Sequence, residues 1–228
     1  MTRATSCLVA LVLSVTVPVC SDELDLLPLG ANGLELELAA APAGSFVDTA
    51  AATELSLEEL AAELVKVQVV LLGESHTDMA QKEFHGALFD AMAELKPDLV
   101  LGMEFFLGSD DEVLEAWGRG EIDETELLRQ TGWYDRGTYN FGYYRPIMDV
   151  AQSRGIRVVG LNVPREIPRA VNRGGLESLT DDQRARVGEV TVDGSAEHRY
   201  LISRYFGETV AMLPPGWFDN MYAAQCVW

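Results

Sequence analysis

Three apolar runs constrain this chain more than any other feature: Val67-Gln-Val-Val-Leu-Leu72, Asp98-Leu-Val-Leu-Gly-Met103 and Ile156-Arg-Val-Val-Gly-Leu161. Each is short, rich in Leu and β-branched residues, and nearly free of polar positions. A strand with one wet face alternates apolar and polar residues, whereas a strand covered on both faces does not. The runs therefore predict buried strands of a parallel sheet. The segments between them carry helical signals. Ser56-Leu-Glu-Glu59 is a capping-box pattern that opens a short helix through Val65. A helix from about Thr77 to Leu95 places Phe84, Leu88, Ala91, Met92 and Leu95 on one stripe, and Pro97 stops it. A polar helical pair follows from about Asp110 to Gln130, and a further helix spans Pro146 to Arg154. Trp133 to Tyr144, rich in aromatics and Gly with no clear period, reads as a loop.

Strands alternating with helices imply right-handed βαβ units. The expected fold class is α/β, a parallel or mostly parallel sheet flanked by helices. Sheets commonly hold about five or six strands, and only three are legible here. The last helical pattern, Phe218 to Trp228, stops with no Gly cap, Pro or polar tail. Together these observations predict a domain missing its C-terminal elements.

Arg3 precedes an apolar stretch from Leu8 to Val19, interrupted only by Pro18, and Cys20-Ser-Asp-Glu follows. That length suits the core of a secretory leader better than a membrane span. Residues 1–20 are expected to be a signal peptide or lipoprotein signal, 21–45 a tether, and 46–228 the folded domain. Cys20 sits where a lipidated cysteine would sit, yet Val17-Pro18-Val19 matches neither the usual lipobox nor the small-residue rule for cleavage. Lipid anchoring through Cys20 and plain cleavage both stay open. With Cys7 inside the leader and Cys226 near the end, no disulfide framework or Cys-based zinc site can be built. The 17 Lys and Arg against 36 Asp and Glu give a formal charge of −19, with no basic run. Such a surface repels phosphate backbones, which argues against nucleic acid as a partner.

In open parallel sheets, ligands bind beyond the carboxyl ends of the strands. Beyond the first run stands Gly73-Glu74-Ser75-His76, beyond the second Glu104-Phe105-Phe106, and beyond the third Asn162-Val-Pro-Arg165. On extended backbone Glu74 and His76 point the same way, and Glu104 approaches from the neighbouring strand. One His with two carboxylates can hold a divalent metal or perform general acid–base work. Alternatively the carboxylates cap helices or pair with Arg145 or Arg165. Asn162 and Arg165 join Glu74, His76 and Glu104 as candidate cofactor-binding residues. His85 reads as a boundary residue of its helix, more than ~10 Å from the strand end. His198 lies in a polar helix and is expected to face solvent. Tyr134, Tyr139, Tyr143 and Tyr144 cluster in the irregular segment, as packing under a loop or as oxygen donors for ferric iron.

Val69-Val-Leu-Leu-Gly-Glu-Ser-His76 followed by Leu101-Gly-Met-Glu-Phe-Phe106 resembles the ChaN-like haem-binding domain of the Tiki superfamily. The resemblance continues through Tyr144-Arg-Pro-Ile-Met-Asp-Val-Ala151, Val158-Val-Gly-Leu-Asn-Val-Pro-Arg165 and the segment Phe218 to Trp228. It implies a periplasmic or outer-membrane lipoprotein that binds haem, as a monomer or between two subunits of a homodimer. It also implies a role in iron acquisition, with an outer-membrane haem or iron transporter as partner. Family members hold haem iron through a tyrosine, and no Tyr of this sequence is carried over as the axial ligand. Glu74, His76 and Glu104 carry over as the shared superfamily site. The same superfamily contains metal-dependent proteases and esterases built on a Gly-x-x-His motif and a Glu. In that alternative, Glu74, His76 and Glu104 would be catalytic with a divalent metal, but the second His-bearing motif is absent from this sequence. A third alternative is a protein-binding lipoprotein with a vestigial site.

Overall fold

A computed structural model describes residues 45–192, 196–205, 214 and 216–227. The leader and tether expected over residues 1–44 lie outside the described residues, as does Trp228. The described residues divide into two compact units, 45–160 and 161–227.

The first unit opens with a hairpin of β1 (Phe46–Asp48) and β2 (Thr53–Leu55), antiparallel, with Phe46 opposite Leu55. The Asp48 carboxylate accepts hydrogen bonds from Ala50 N–H at 2.8 Å and Ala51 N–H at 3.0 Å, which shapes the turn. Helix α1 (Leu57–Leu64) then starts at the expected capping box. Ser56 Oγ accepts from Glu59 N–H, and the Glu59 carboxylate accepts from Ser56 N–H. Leu60, Ala61 and Leu64 of α1 are buried with Leu88 and Met92 of α2 (Met79–Leu95).

The run from Val67 to Leu72 does not join a sheet among the described residues. Its burial alternates: Val70 and Leu72 pack on the α1–α2 cluster, while Val69 and Leu71 are 68% and 87% exposed. The expectation of a strand covered on both faces is corrected here. From Val69 onward the segment keeps a two-residue alternation with one open face, because no strand among the described residues pairs with it.

The second expected strand is present and longer than its apolar run. Strand β3 covers Val100–Leu107, so Glu104 lies within the strand and not beyond it. It pairs in parallel with β4 (Arg157–Asn162). Between them in sequence come α3 (Asp111–Gly118), α4 (Glu124–Gln130), the irregular aromatic segment, and α5 (Arg145–Ser153). These elements enclose the largest core, with Phe106, Leu127, Trp133, Phe141 and Met148 no more than 1% exposed.

Helices α2 and α5 meet at Gly86. A Cβ there would stand 2.9 Å from the carbonyl carbon and oxygen of Pro146, closer than side chains tolerate. The aromatic segment is tied down by a second device. Arg136 donates two hydrogen bonds to the buried Asp110 carboxylate, at 2.5 and 2.9 Å, and Leu107 N–H donates a third at 2.9 Å.

The second unit begins at the last two residues of β4. It contains α6 (Glu166–Gly174), α7 (Asp181–Val187), α8 (Ala196–Tyr205) and α9 (Trp217–Val227). Ile167 and Val171 of α6 are buried with Ala223, Ala224 and Val227 of α9. His198 is solvent-exposed, as its polar helix suggests, yet its Nδ1 lies 2.6 Å from the hydroxyl of the fully buried Tyr222. No helix among the described residues is long and apolar enough to cross a membrane.

The Asp110 pair generates a stability test. Arg136→Ala leaves a carboxylate enclosed without its counter-charge, which should cost about 3 kcal/mol in urea unfolding. Asp110→Ala/Arg136→Ala together should recover part of that loss, since no unpaired charge remains. A double variant no more stable than Arg136→Ala would refute this account of the loop anchor.

Candidate functional site

The site is built around one carboxylate. Past the unpaired run, alternation carries Glu74 and His76 to the same side as Val70 and Leu72. The chain then turns through Ser75–Asp78, with Asp78 N–H bonded to Ser75 O at 3.1 Å. Asp78 caps α2 through Gln81 N–H, and the Gln81 side chain accepts from Ser75 N–H at 2.6 Å. That reversal lays α2 back alongside Glu74. Lys82, His85 and Gly86 recur at helical spacing on one face of α2, so the first two meet the carboxylate as the third meets α5.

Glu74 is 16% exposed and gathers four partners. His76 Nδ1 lies 3.2 Å from Oε1, and His85 Nδ1 lies 3.4 Å from Oε2. The Tyr144 hydroxyl donates to Oε1 at 3.4 Å. The Lys82 ammonium forms an ion pair with Oε1 and stands 4.1 Å from the centre of the Tyr144 ring. Lys82 is 3% exposed and His85 8% by side chain, whereas His76 is 34% exposed. His76 is also ringed by aromatics: Phe105 edge-on at 5.0 Å and Tyr139 tilted at 4.9 Å between ring centres. Tyr139 is 40% exposed.

Burial opposes the charge on Glu74. Hydrogen bonds from His85, Lys82 and His76, together with the charge of Lys82, outweigh burial and hold the carboxyl at about 2. Burial likewise pulls Lys82 below its ordinary value, against the opposing pull of Glu74. Burial drives the Tyr144 phenol upward, and the nearby charges of Glu74 and Glu104 add to this. A phenol in that setting resists ionisation, which counts against Tyr144 as an anionic metal donor.

Of the five residues picked out from sequence, Glu74 and His76 are in contact. Glu104 lies on the exposed face of β3, and its negative charge reaches Lys82 and Tyr144 across space. Asn162 and Arg165 belong to the other unit. Asn162 closes β4 with its Oδ1 accepting from Val163 N–H, and Arg165 is exposed at the start of α6. Among the described residues, no group of three His, Cys, Asp or Glu is placed to hold a metal ion. His85 is a correction: it was expected far from the strand end, but the reversal before α2 brings its ring to Glu74. Lys82 was overlooked. The signal for both was their register, since the buried stripe of Phe89, Met92 and Ala93 runs back four residues to His85 and three more to Lys82.

The family profile described as haem-binding uptake, Tiki superfamily, ChaN matches residues 60–228. Among solved structures, one titled as cofacial haem binding to ChaN of Campylobacter jejuni has a similar fold. Its TM-score is 0.62 at 17% sequence identity, over 80% of this chain and 71% of that one. No curated protein matches the chain.

The low value held by Glu74 has a stability consequence. Its folded-state value is depressed, so its contribution is complete above the ordinary 4.5 and is lost as pH falls towards about 2. Urea midpoints should favour the wild type over Glu74→Gln by roughly 2–3 kcal/mol at neutral pH. The gap should close as the pH drops from 4.5 to about 2. A gap that survives unchanged in acid would show that the charge of Glu74 is not its source.

Proposed function

Since this chain belongs to the Tiki-superfamily ChaN family of haem-binding uptake proteins, we propose that it binds haem at the His76 face of the Glu74 cluster. The observation that carries this reading is the half-exposed imidazole of His76, set among aromatic rings and held from behind by a carboxylate. A carboxylate bonded to Nδ1 fixes the ring and leaves Nε2 as the nitrogen that can be offered to iron. Tyr139 is the neighbouring phenol with an open face, and it lies beside His76. Phe105 and Tyr139 supply flat apolar surface of the kind a porphyrin stacks on. Haem, when bound, would bring the iron and its redox chemistry. The chain's part is to orient one imidazole, offer a phenol and shelter one porphyrin face.

The wider role we propose is export and iron acquisition. It is supported by the apolar stretch Leu8–Val19 behind Arg3 and by the family's uptake role. Periplasmic or outer-membrane placement, with anchoring through Cys20 or release by cleavage, follows from that proposal. Haem bound on an open face suits a second copy of the chain as a partner, and an outer-membrane transporter as the onward or upstream carrier. The hydrolase alternative gains nothing from the geometry, because Glu74 is already committed to an ammonium ion.

Titration of the full chain with haemin should give a shifted Soret band that saturates near one haem per chain. His76→Ala should weaken binding by about 10- to 100-fold and change the band position. Tyr139→Phe reports whether the phenol is a ligand, through loss of its charge-transfer absorption. A titration with no spectral shift would eliminate the haem reading.

A further inference from the structure

Among the arginines whose side chains are described, each of those outside α6 stands no more than 3.8 Å from a carboxylate oxygen. Arg165, Arg169 and Arg173 differ. Among the described residues their guanidinium groups make no ion pair and no hydrogen bond, and all three are exposed. Arg165 is the N-cap of α6 with helical backbone, so a spacing of four residues lays the three along one stripe of the helix. The stripe is about 12 Å long and lies opposite the buried Ile167 and Val171. This arrangement works against the helix. Like charges four residues apart repel, and Arg165 stands at the end where the helix dipole disfavours a cation. Glu166, the one acid of α6, pairs with none of them. On a chain of formal charge −19 the result is a local positive strip without a counter-charge among the described residues.

The same chain carries a complement to it. No Lys or Arg occurs between Arg3 and Lys66, and residues 21–44 contain Asp22, Glu23, Asp25, Glu35 and Glu37. In Leu34-Glu-Leu-Glu-Leu38 the acids recur every second residue, which on extended backbone is about 6.6 Å. Four residues of helix advance about 6 Å. Two carboxylates can therefore meet two neighbouring guanidinium groups in register, with charge-assisted hydrogen bonds. We infer that α6 is a docking strip for an acidic segment of its own chain, Leu34–Leu38, with Glu35 and Glu37 paired to neighbouring arginines of the stripe. Exposed ion pairs are individually weak, but a segment in the same chain meets them at a high effective concentration. The contact is consequently one that salt loosens. The inference concerns α6 and the amino-terminal segment, and does not rest on haem binding.

The test uses the full chain and two sets of variants. Arg165→Lys/Arg169→Lys/Arg173→Lys keeps the charge and supplies amines that a carbodiimide joins to carboxylates in direct contact. Peptide mass spectrometry should find these lysines linked to Glu35 or Glu37 within one chain, and the yield should fall in high salt. Arg165→Glu/Arg169→Glu/Arg173→Glu should speed amide hydrogen exchange of residues 34–38 by roughly fivefold. Adding Glu35→Arg/Glu37→Arg to that variant should restore the slow rate. The substituted positions are exposed, so circular dichroism and Tm should match the wild type. Links only to other acids, or only between two chains, overturn the inference, and the latter would assign the strip to a second copy. Exchange that ignores the charge reversal also overturns it. So does arginine-dependent flotation on phosphatidylglycerol vesicles, which would show the strip free for lipid headgroups. A failed haemin titration leaves these outcomes untouched, so the two readings fall separately.

Discussion

The ion pair between Glu74 and Lys82 is the constraint on which the site's arrangement depends. A carboxylate largely removed from water needs a compensating charge and donors for its lone pairs. Here a lysine, two imidazoles and a phenol supply them, and each comes from a separate step of the chain's path. Glu74 and His76 leave an extended segment, Lys82 and His85 return along α2, and Tyr144 heads α5. Any one partner alone would be a commonplace contact. Convergence on one carboxylate draws three segments into fixed relation, which is what preorganises a binding face.

The division of exposure within the cluster matters as much as its membership. Lys82, His85 and Tyr144 are enclosed, and their polar groups are spent on Glu74. His76 alone of the two histidines keeps an open side, with Tyr139 and Phe105 beside it. The inner groups therefore set charge and orientation, while the outer ones meet whatever arrives. The family to which the chain belongs is one of haem-binding uptake.

Much of this was legible in the residues, and the failures have identifiable causes. The capping box at Ser56, the helix after Asp78, the strand entered at Val100 and the parallel pairing with Arg157–Asn162 all follow local patterns of chain preference. Composition alone cannot separate a strand covered on two faces from an extended segment with one face open. Val67 to Leu72 contains the residues of the former and shows the exposure of the latter. Glu74 and His76 were visible because alternation puts them on one side of extended backbone. Lys82 was hidden because a lysine on a helix is ordinarily solvated, and only the buried stripe running through it indicates otherwise. The distance assigned to His85 was wrong because rise per residue measures the length of a helix and ignores a chain that doubles back before it.

Gly86 bears no functional group, touches neither Glu74 nor any ligand, and weakens its own helix by about 1 kcal/mol relative to alanine. Its absent side chain is nonetheless what lets the backbone at Pro146 press against α2, one turn beyond Lys82 and two residues after Tyr144. A single methyl group at that crossing would force α2 and the Pro146 backbone apart, two residues from the ring that covers the Lys82 ammonium. The spacing of the site thus depends partly on empty volume beside it, one turn along α2 from Lys82.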